Sequence, residues 1–249
     1  MIQRLFQNMP PVTKNLVILN VLFWGVMALV PSLDAKLSQL FALHYFSSPG
    51  FNVAQLFTYM FIHAGFVHLF FNMFMLVMFG GIIERSMGSS RFLFYYISCG
   101  LFAALLQMGI YAALLSKYTG MYSPEDYQQI INMGWNYLKD GYDFVDPTMA
   151  RINMLVNGSM VGASGAIYGV LLAFGMLYPN QQVYLMFIPV PVKAKWVVIG
   201  SGAMELLLGI SNNTADNVAH FAHLGGMIAG VLLILYWKKK GVFNNHWFF

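Results

Sequence analysis

The stretch "VGASGAIYGV", Val161–Val170, decides how this chain is read. It sets Ser164 among Gly162, Ala163, Gly165 and Ala166, and places a second glycine, Gly169, one turn after Gly165. Small residues at i and i+4 let two membrane helices approach closely. A serine there is one of two things. It is one more small residue at a helix contact, bonded back to a carbonyl one turn earlier, or it is a nucleophile. Gly-x-Ser-Gly alone does not choose between them, and it lacks the second glycine position of the Gly-x-Ser-x-Gly elbow of soluble hydrolases.

Composition identifies the solvent. The 249 residues are 59% hydrophobic and only 9% charged, with a mean hydropathy of +0.63. A soluble domain has about 45–50% apolar and about 25% charged residues. This much apolar surface predicts a bilayer, and the length suits about six spans of roughly 20 residues plus loops. The apolar segments place those spans at 15–32, 64–84, 92–115, 164–179, 196–211 and 219–237. The expected architecture is a single all-α membrane domain over 1–249, with an insertion at 116–163 in an outside loop. Within that insertion "SPEDYQQIINMGWNYL" carries a helix-start signal at Ser123-Pro124 followed by acids. The first apolar run lacks a signal-peptide cleavage site, so it reads as a retained span. Cys99 has no second cysteine to pair with.

Basic residues orient the spans. With the N-terminus inside, the inside loops hold Arg4, Lys14, Arg85, Arg91, Lys193, Lys195, Lys238, Lys239 and Lys240. The outside loops hold Lys36, Lys117, Lys139 and Arg151. Nine against four predicts both termini in the cytoplasm, and a bacterial cytoplasmic membrane is the expected location. Lys238–Lys240 reads as a stop signal facing anionic lipid, not as a nucleic-acid patch.

Polar side chains inside spans are costly, and ionisable ones there are functional candidates. "HAGFVHLFFN" holds His63, His68 and Asn72, with His68 and Asn72 on one helical face. "NVAHFAHLGGMIAG" holds His220 and His223. With the N-terminus inside, these two clusters and Ser164 fall at one depth near the outer side. Gly165 to Tyr178 spans about 21 Å of helix, so Ser164 lies roughly 9 Å below the outer edge of a ~30 Å hydrocarbon core. Non-helical backbone at that depth requires surrounding protein or water. The sequence therefore predicts a water-filled cavity, open to the outer side, with Ser164 at its floor.

A general base must come within about 3 Å of the serine oxygen. Gly165-x-x-x-Gly169 and Gly226-x-x-x-Gly230 both follow the small-x-x-x-small pattern that permits such an approach. His223, Gly226 and Gly230 form one stripe, which favours His223 over His220 as the base. Acyl transfer also needs donors for a developing oxyanion. The Ser164 backbone N–H, the Asn72 amide, the His68 imidazole and the polarised start of the fourth span are the candidates. No Asp or Glu accompanies these clusters in sequence, so a Ser–His dyad is expected in place of a triad. For the same reason, and because the His-Glu-x-x-His pattern is missing, no metal is expected.

At these residues the chain resembles the rhomboid family of intramembrane serine proteases. The resemblance rests on His68-x-x-x-Asn72, on Gly162-x-Ser164-Gly165 with Tyr168 four residues later, and on Ala222-His223-x-x-Gly226-x-x-x-Gly230. It extends through "FTYMFIHAGFVHLFFN" and "ERSMGSSRF", and covers about 51–110, 156–180 and 217–232. It implies a six-helix bundle with a hydrated cavity, which cleaves transmembrane segments of other proteins without a cofactor. Ser164 would be nucleophile and His223 general base and acid; Ser164, His68 and Asn72 would form the oxyanion site. Tyr168 would stack on His223, and Gly162 would permit the tight backbone before the serine. The fifth span and the loop "SNNTADN" would correspond to the family's lateral gate and cap. Two features depart from the family: the first outside loop, "PSLDAKLSQLFALHYF", lacks the common Trp-Arg pair, and the 116–163 loop is long and acidic. Glu205, inside the fifth span, has no assigned role. Two other readings use the same residues. A non-catalytic relative that escorts membrane proteins would be expected to lack Ser164 or His223. A His-dependent transporter would be expected to carry paired intramembrane carboxylates or interrupted-helix repeats, and the sequence has neither.

Overall fold

The computed structural model describes residues 8–118, 120–184, 190–211 and 218–243. Ten helices are numbered here in chain order: α1 Pro11–Leu29, α2 Pro31–Phe41, the single turn α3 Gln55–Thr58, α4 Phe66–Met87, α5 Ser89–Leu115, α6 Pro124–Lys139, α7 Pro147–Asn157, α8 Ser164–Leu177, α9 Ala194–Ser211 and α10 His220–Lys239. A short antiparallel hairpin pairs β1 Gln182–Val183 with β2 Val192–Lys193. Among the described residues five helices, α1, α4, α5, α9 and α10, are long and apolar enough to cross a bilayer, and α8 is a shorter apolar helix of 14 residues. Large apolar side chains such as Leu22, Phe66, Phe94, Leu207 and Leu232 point out of the protein. Water would penalise such a surface and lipid does not. The chain is an all-α, multi-pass integral membrane protein.

Proline sets the ends of the first helix. Pro11 begins α1, where a missing N–H costs nothing, and α1 ends at Leu29 because Val30, the residue before a proline in the sequence, leaves helical geometry at φ −128° and ψ 81°. The span therefore starts and stops earlier than the 15–32 read from hydropathy. At the end of the bundle far from Ser164, Glu84 of α4 caps the start of α1. Its carboxylate accepts from the Thr13 N–H at 2.7 Å, the Thr13 hydroxyl at 2.8 Å and the Val12 N–H at 3.0 Å. It also accepts from the Ser89 hydroxyl at 2.7 Å, tying α1, α4 and α5 together.

Helix α8 forms the centre of the bundle. Eleven of its fourteen residues are buried, and it packs against α5, α9 and α10. The glycine pairs read from the sequence make the closest contact. A Cβ on Gly226 would collide with the carbonyl oxygen of Gly165. One on Gly169 would lie 2.5 Å from Cys99 Sγ and 3.0 Å from the Gly226 carbonyl oxygen. The Tyr95 hydroxyl of α5 donates to the Gly169 carbonyl at 2.6 Å, which fixes the third helix of the contact. Helix α9 is held differently. Only Ala194, Val198 and Glu205 among its eighteen residues are buried.

The insertion at 116–163 is ordered around α6 and α7. Ser123 caps α6 by accepting from the Asp126 N–H at 3.1 Å, as its start signal predicts. Asp146 caps α7 by accepting from the Met149 N–H at 2.8 Å. Ile130, Ile131, Ile152, Leu155 and Val156 form a small second core with Tyr45 and Leu115. This insertion grips the loop that follows α2. Ser48 donates to the Asn157 side-chain oxygen at 2.7 Å, His44 Nδ1 lies 3.0 Å from the Asn157 carbonyl, and Leu43 and Met160 exchange both backbone hydrogen bonds. The Asn157 amide in turn donates to the Ile131 carbonyl at 2.8 Å. A loop without the Trp-Arg pair is thus held by buried polar contacts from the insertion.

Candidate active site

The loop that delivers Ser164 is fixed before the helix begins. The Gly162 N–H donates to the Tyr59 carbonyl at 3.0 Å, and Gly162 itself has φ +115°, a conformation that disfavours any side chain. A Cβ there would also lie 2.7 Å from the His68 ring. Glycine is therefore required twice, for the turn and for the approach of His68. Ser164 follows as the first residue of α8. Its backbone N–H is one of the N-terminal donors that a helix leaves without an internal acceptor.

Helix α10 brings His223 to this serine. Ser164 Oγ lies 2.7 Å from His223 Nε2, across the helix pair closed by Gly165 and Gly226. Ser164 is half-buried and His223 buried. The Tyr168 ring, one turn into α8, lies parallel to the His223 ring with centroids 4.2 Å apart and planes 9° apart. His68 faces the same point from α4 across Gly162. Asn72 is buried, and its amide donates to the His68 carbonyl at 2.8 Å, so it steadies the turn that carries His68. His63, in the loop before α4, packs its ring edge-on to His68 with centroids 5.0 Å apart.

One expectation is corrected. A carboxylate does accompany the cluster, and it comes from α9. Glu205 Oε2 lies 2.9 Å from His223 Nδ1 and 2.6 Å from His220 Nδ1. Its other oxygen accepts a short hydrogen bond from the Tyr168 hydroxyl. Sequence reasoning missed this because Glu205 is 15 residues before His220 on a separate helix, and a spacing across a loop carries no register. The available signal was an acid inside an apolar span.

Glu205, His220 and His223 are also close enough together to be weighed as metal ligands. Ligands of a tetrahedral ion at about 2.05 Å stand roughly 3.3 Å apart. Both contacts from Glu205 are shorter: the 2.6 Å contact to His220 is a hydrogen bond, whereas His223 Nδ1, at 2.9 Å, lies beside the carboxylate without hydrogen-bond geometry. A cavity of about 1010 Å³ opens under the insertion, lined by Trp135, Arg151, Asn157, Leu208 and His220 among others. Ser164 and His223 do not line it, so it is a different space from the serine-floored one expected from the sequence. The expected cap "SNNTADN" falls, after Ser211, outside the described residues.

The model of the Rhomboid domain matches residues 50–240, most of the chain and all of the site. The chain belongs to the rhomboid family. Its rhomboid relatives include Rhomboid protein 1, mitochondrial, of Saccharomyces cerevisiae, 27% identical over 94% of this chain. A Bacillus subtilis protein assigned as a rhomboid protease, YdcA, is 26% identical over 72% of it. Rhomboid-like protein 16, chloroplastic, of Arabidopsis thaliana is 25% identical over 77%. The aligned regions cover 58%, 64% and 51% of those three proteins, so the chain spans a little over half the length of the rhomboid relatives it matches.

Proposed function

We propose that this rhomboid protein is an intramembrane serine endopeptidase that hydrolyses a peptide bond in or near the transmembrane segment of other membrane proteins. The observation that carries the reading is the 2.7 Å contact between Ser164 Oγ and His223 Nε2, set where α8 begins. His223 Nε2 takes the hydroxyl proton as Oγ bonds to the substrate carbonyl carbon, and the carbonyl π pair moves onto oxygen. The oxyanion forms beside the Ser164 N–H, the helix start, the His68 ring and the Asn72 amide. Collapse breaks the C–N bond, and the imidazolium gives its proton to the leaving amine. Water, deprotonated by His223, then repeats the sequence on the acyl-enzyme and releases Ser164. Water reaches the site in this scheme through a cavity from the outer side. Stacking on Tyr168 holds the imidazole plane between the two half-reactions. No step calls for a metal or cofactor.

The excess of Lys and Arg in alternate loops supports both termini on one side of the membrane, the cytoplasmic side in this reading, and a site near the opposite face. The test is cleavage of a reconstituted transmembrane substrate by the full chain and by its Ser164→Ala variant. Loss of cleavage to background is expected; undiminished cleavage by the variant ends the reading.

A further inference from the structure

We propose that Glu205 is a positioning residue for catalysis, the third member of a Ser164–His223–Glu205 arrangement supplied by the loosely held helix α9. The proposal rests on the protease reading above and departs from the dyad that the family resemblance implies. Its basis is the convergence of three side chains on one buried carboxylate. His223 Nδ1 and His220 Nδ1 meet Glu205 Oε2 at 2.9 and 2.6 Å, and the Tyr168 hydroxyl donates to Oε1. Glu205 is 6% exposed, on a helix that buries two other residues, both apolar, nearer its start.

The chemistry follows from which nitrogen carries the proton. A carboxylate accepts and does not donate, so a proton on His223 is favoured at Nδ1. Nε2 then presents its lone pair to the Ser164 hydroxyl, as a general base requires. When Nε2 takes the serine proton, the ring becomes cationic, and Glu205 places a negative charge beside it in a water-poor site. The same carboxylate holds Tyr168, whose ring lies against His223, and His220, one turn along α10. One group thus sits beside the Nδ1 edge of the imidazole and holds the tyrosine stacked on its face. Because that group sits on α9, displacement of α9 would withdraw it from the base, so the position of this helix sets the competence of His223.

The test is steady-state cleavage by the full chain in liposomes with Glu205→Gln, beside Ser164→Ala and His223→Ala. Glu205→Gln keeps the size of the side chain and removes the charge. The expected result is kcat lower by about 10²-fold, with KM within about threefold and an unchanged melting temperature. Glu205→Asp, which restores the charge, should recover part of the loss. Wild-type kcat in a folded Glu205→Gln protein overturns the proposal. If Glu205→Gln does not fold, Glu205→Asp carries the test: kcat at least about tenfold lower with KM retained supports it, and wild-type kcat overturns it. Stoichiometric zinc in the purified protein, with cleavage lost on chelation, would also overturn it. Full cleavage by Ser164→Ala would instead remove the protease reading itself.

Discussion

Ser164 is ambiguous as a letter and gains its meaning from the residues placed around it. Its spacing to His223, 59 positions, carries no information, but the glycines on both helices did, and they were legible. Gly162 was legible too, as a small residue before the serine, although its left-handed conformation and the His68 ring against it were not. Glu205 was visible only as an oddity, since no periodicity links residues on different helices. The histidines outside the spans give a prediction at this scale. Burial, with His68 as a second contribution, lowers the pKa of His63 to about 3, and burial also lowers that of His44. Each is held neutral in the fold, while the unfolded chain protonates near 6.5. Stability is therefore fully present above pH 6.5 and is lost as the pH falls below it, because the unfolded state then binds more protons. His63 alone accounts for about 2 kcal/mol between pH 7 and pH 5. Thermal unfolding in detergent should show a lower midpoint at pH 5 than at pH 7, and less of a drop in His63→Phe. Equal midpoints at the two pH values would contradict the buried neutral state.

Among the elements, each apolar run overlaps an apolar helix, five of the described ones long enough to cross a bilayer and α8 shorter, because lipid imposes long apolar runs. Hydropathy did not foresee the shift of α1 toward the N-terminus or the packing of α6 and α7 into a small core. Those outcomes depend on local stereochemistry and on contacts between loops. The contact of α8 with α10 gives the sharpest test at this scale. Gly226→Ala puts a methyl group into the carbonyl of Gly165, which must move. Overpacking of this kind costs about 1–3 kcal/mol. Any separation of the two helices also lengthens the Ser164–His223 contact. The variant should melt earlier and cleave at least about tenfold more slowly. Gly200→Ala on α9, whose Cβ meets nothing within 4 Å, should do neither. Equal behaviour of the two variants would mean that close helix approach is not what assembles the site.

Across the whole molecule, a short buried helix begins at the candidate nucleophile, with longer helices around it. The insertion clamps the loop that follows α2, and a thinly buried helix carries the third side chain of the cluster. The charge distribution predicts that the insertion lies outside and both termini inside. Val145 is fully exposed at the insertion, and the native Cys99 is buried. A membrane-impermeant maleimide added to intact cells should therefore label Val145→Cys and leave the parent protein unlabelled. Labelling only after the membrane is opened would reverse the orientation. How the insertion docks was not legible, since the contacts of Asn157 with Ser48 and His44 join residues more than a hundred positions apart.

The central claim, that Ser164 is a nucleophile activated by His223, has a direct chemical test. The folded protein is treated with a fluorophosphonate, and the modified residue is located by mass spectrometry. The account predicts one adduct, on Ser164, which is absent in His223→Ala and in protein unfolded before labelling. A folded protein with no adduct on Ser164, or one labelled equally well without His223, would contradict it.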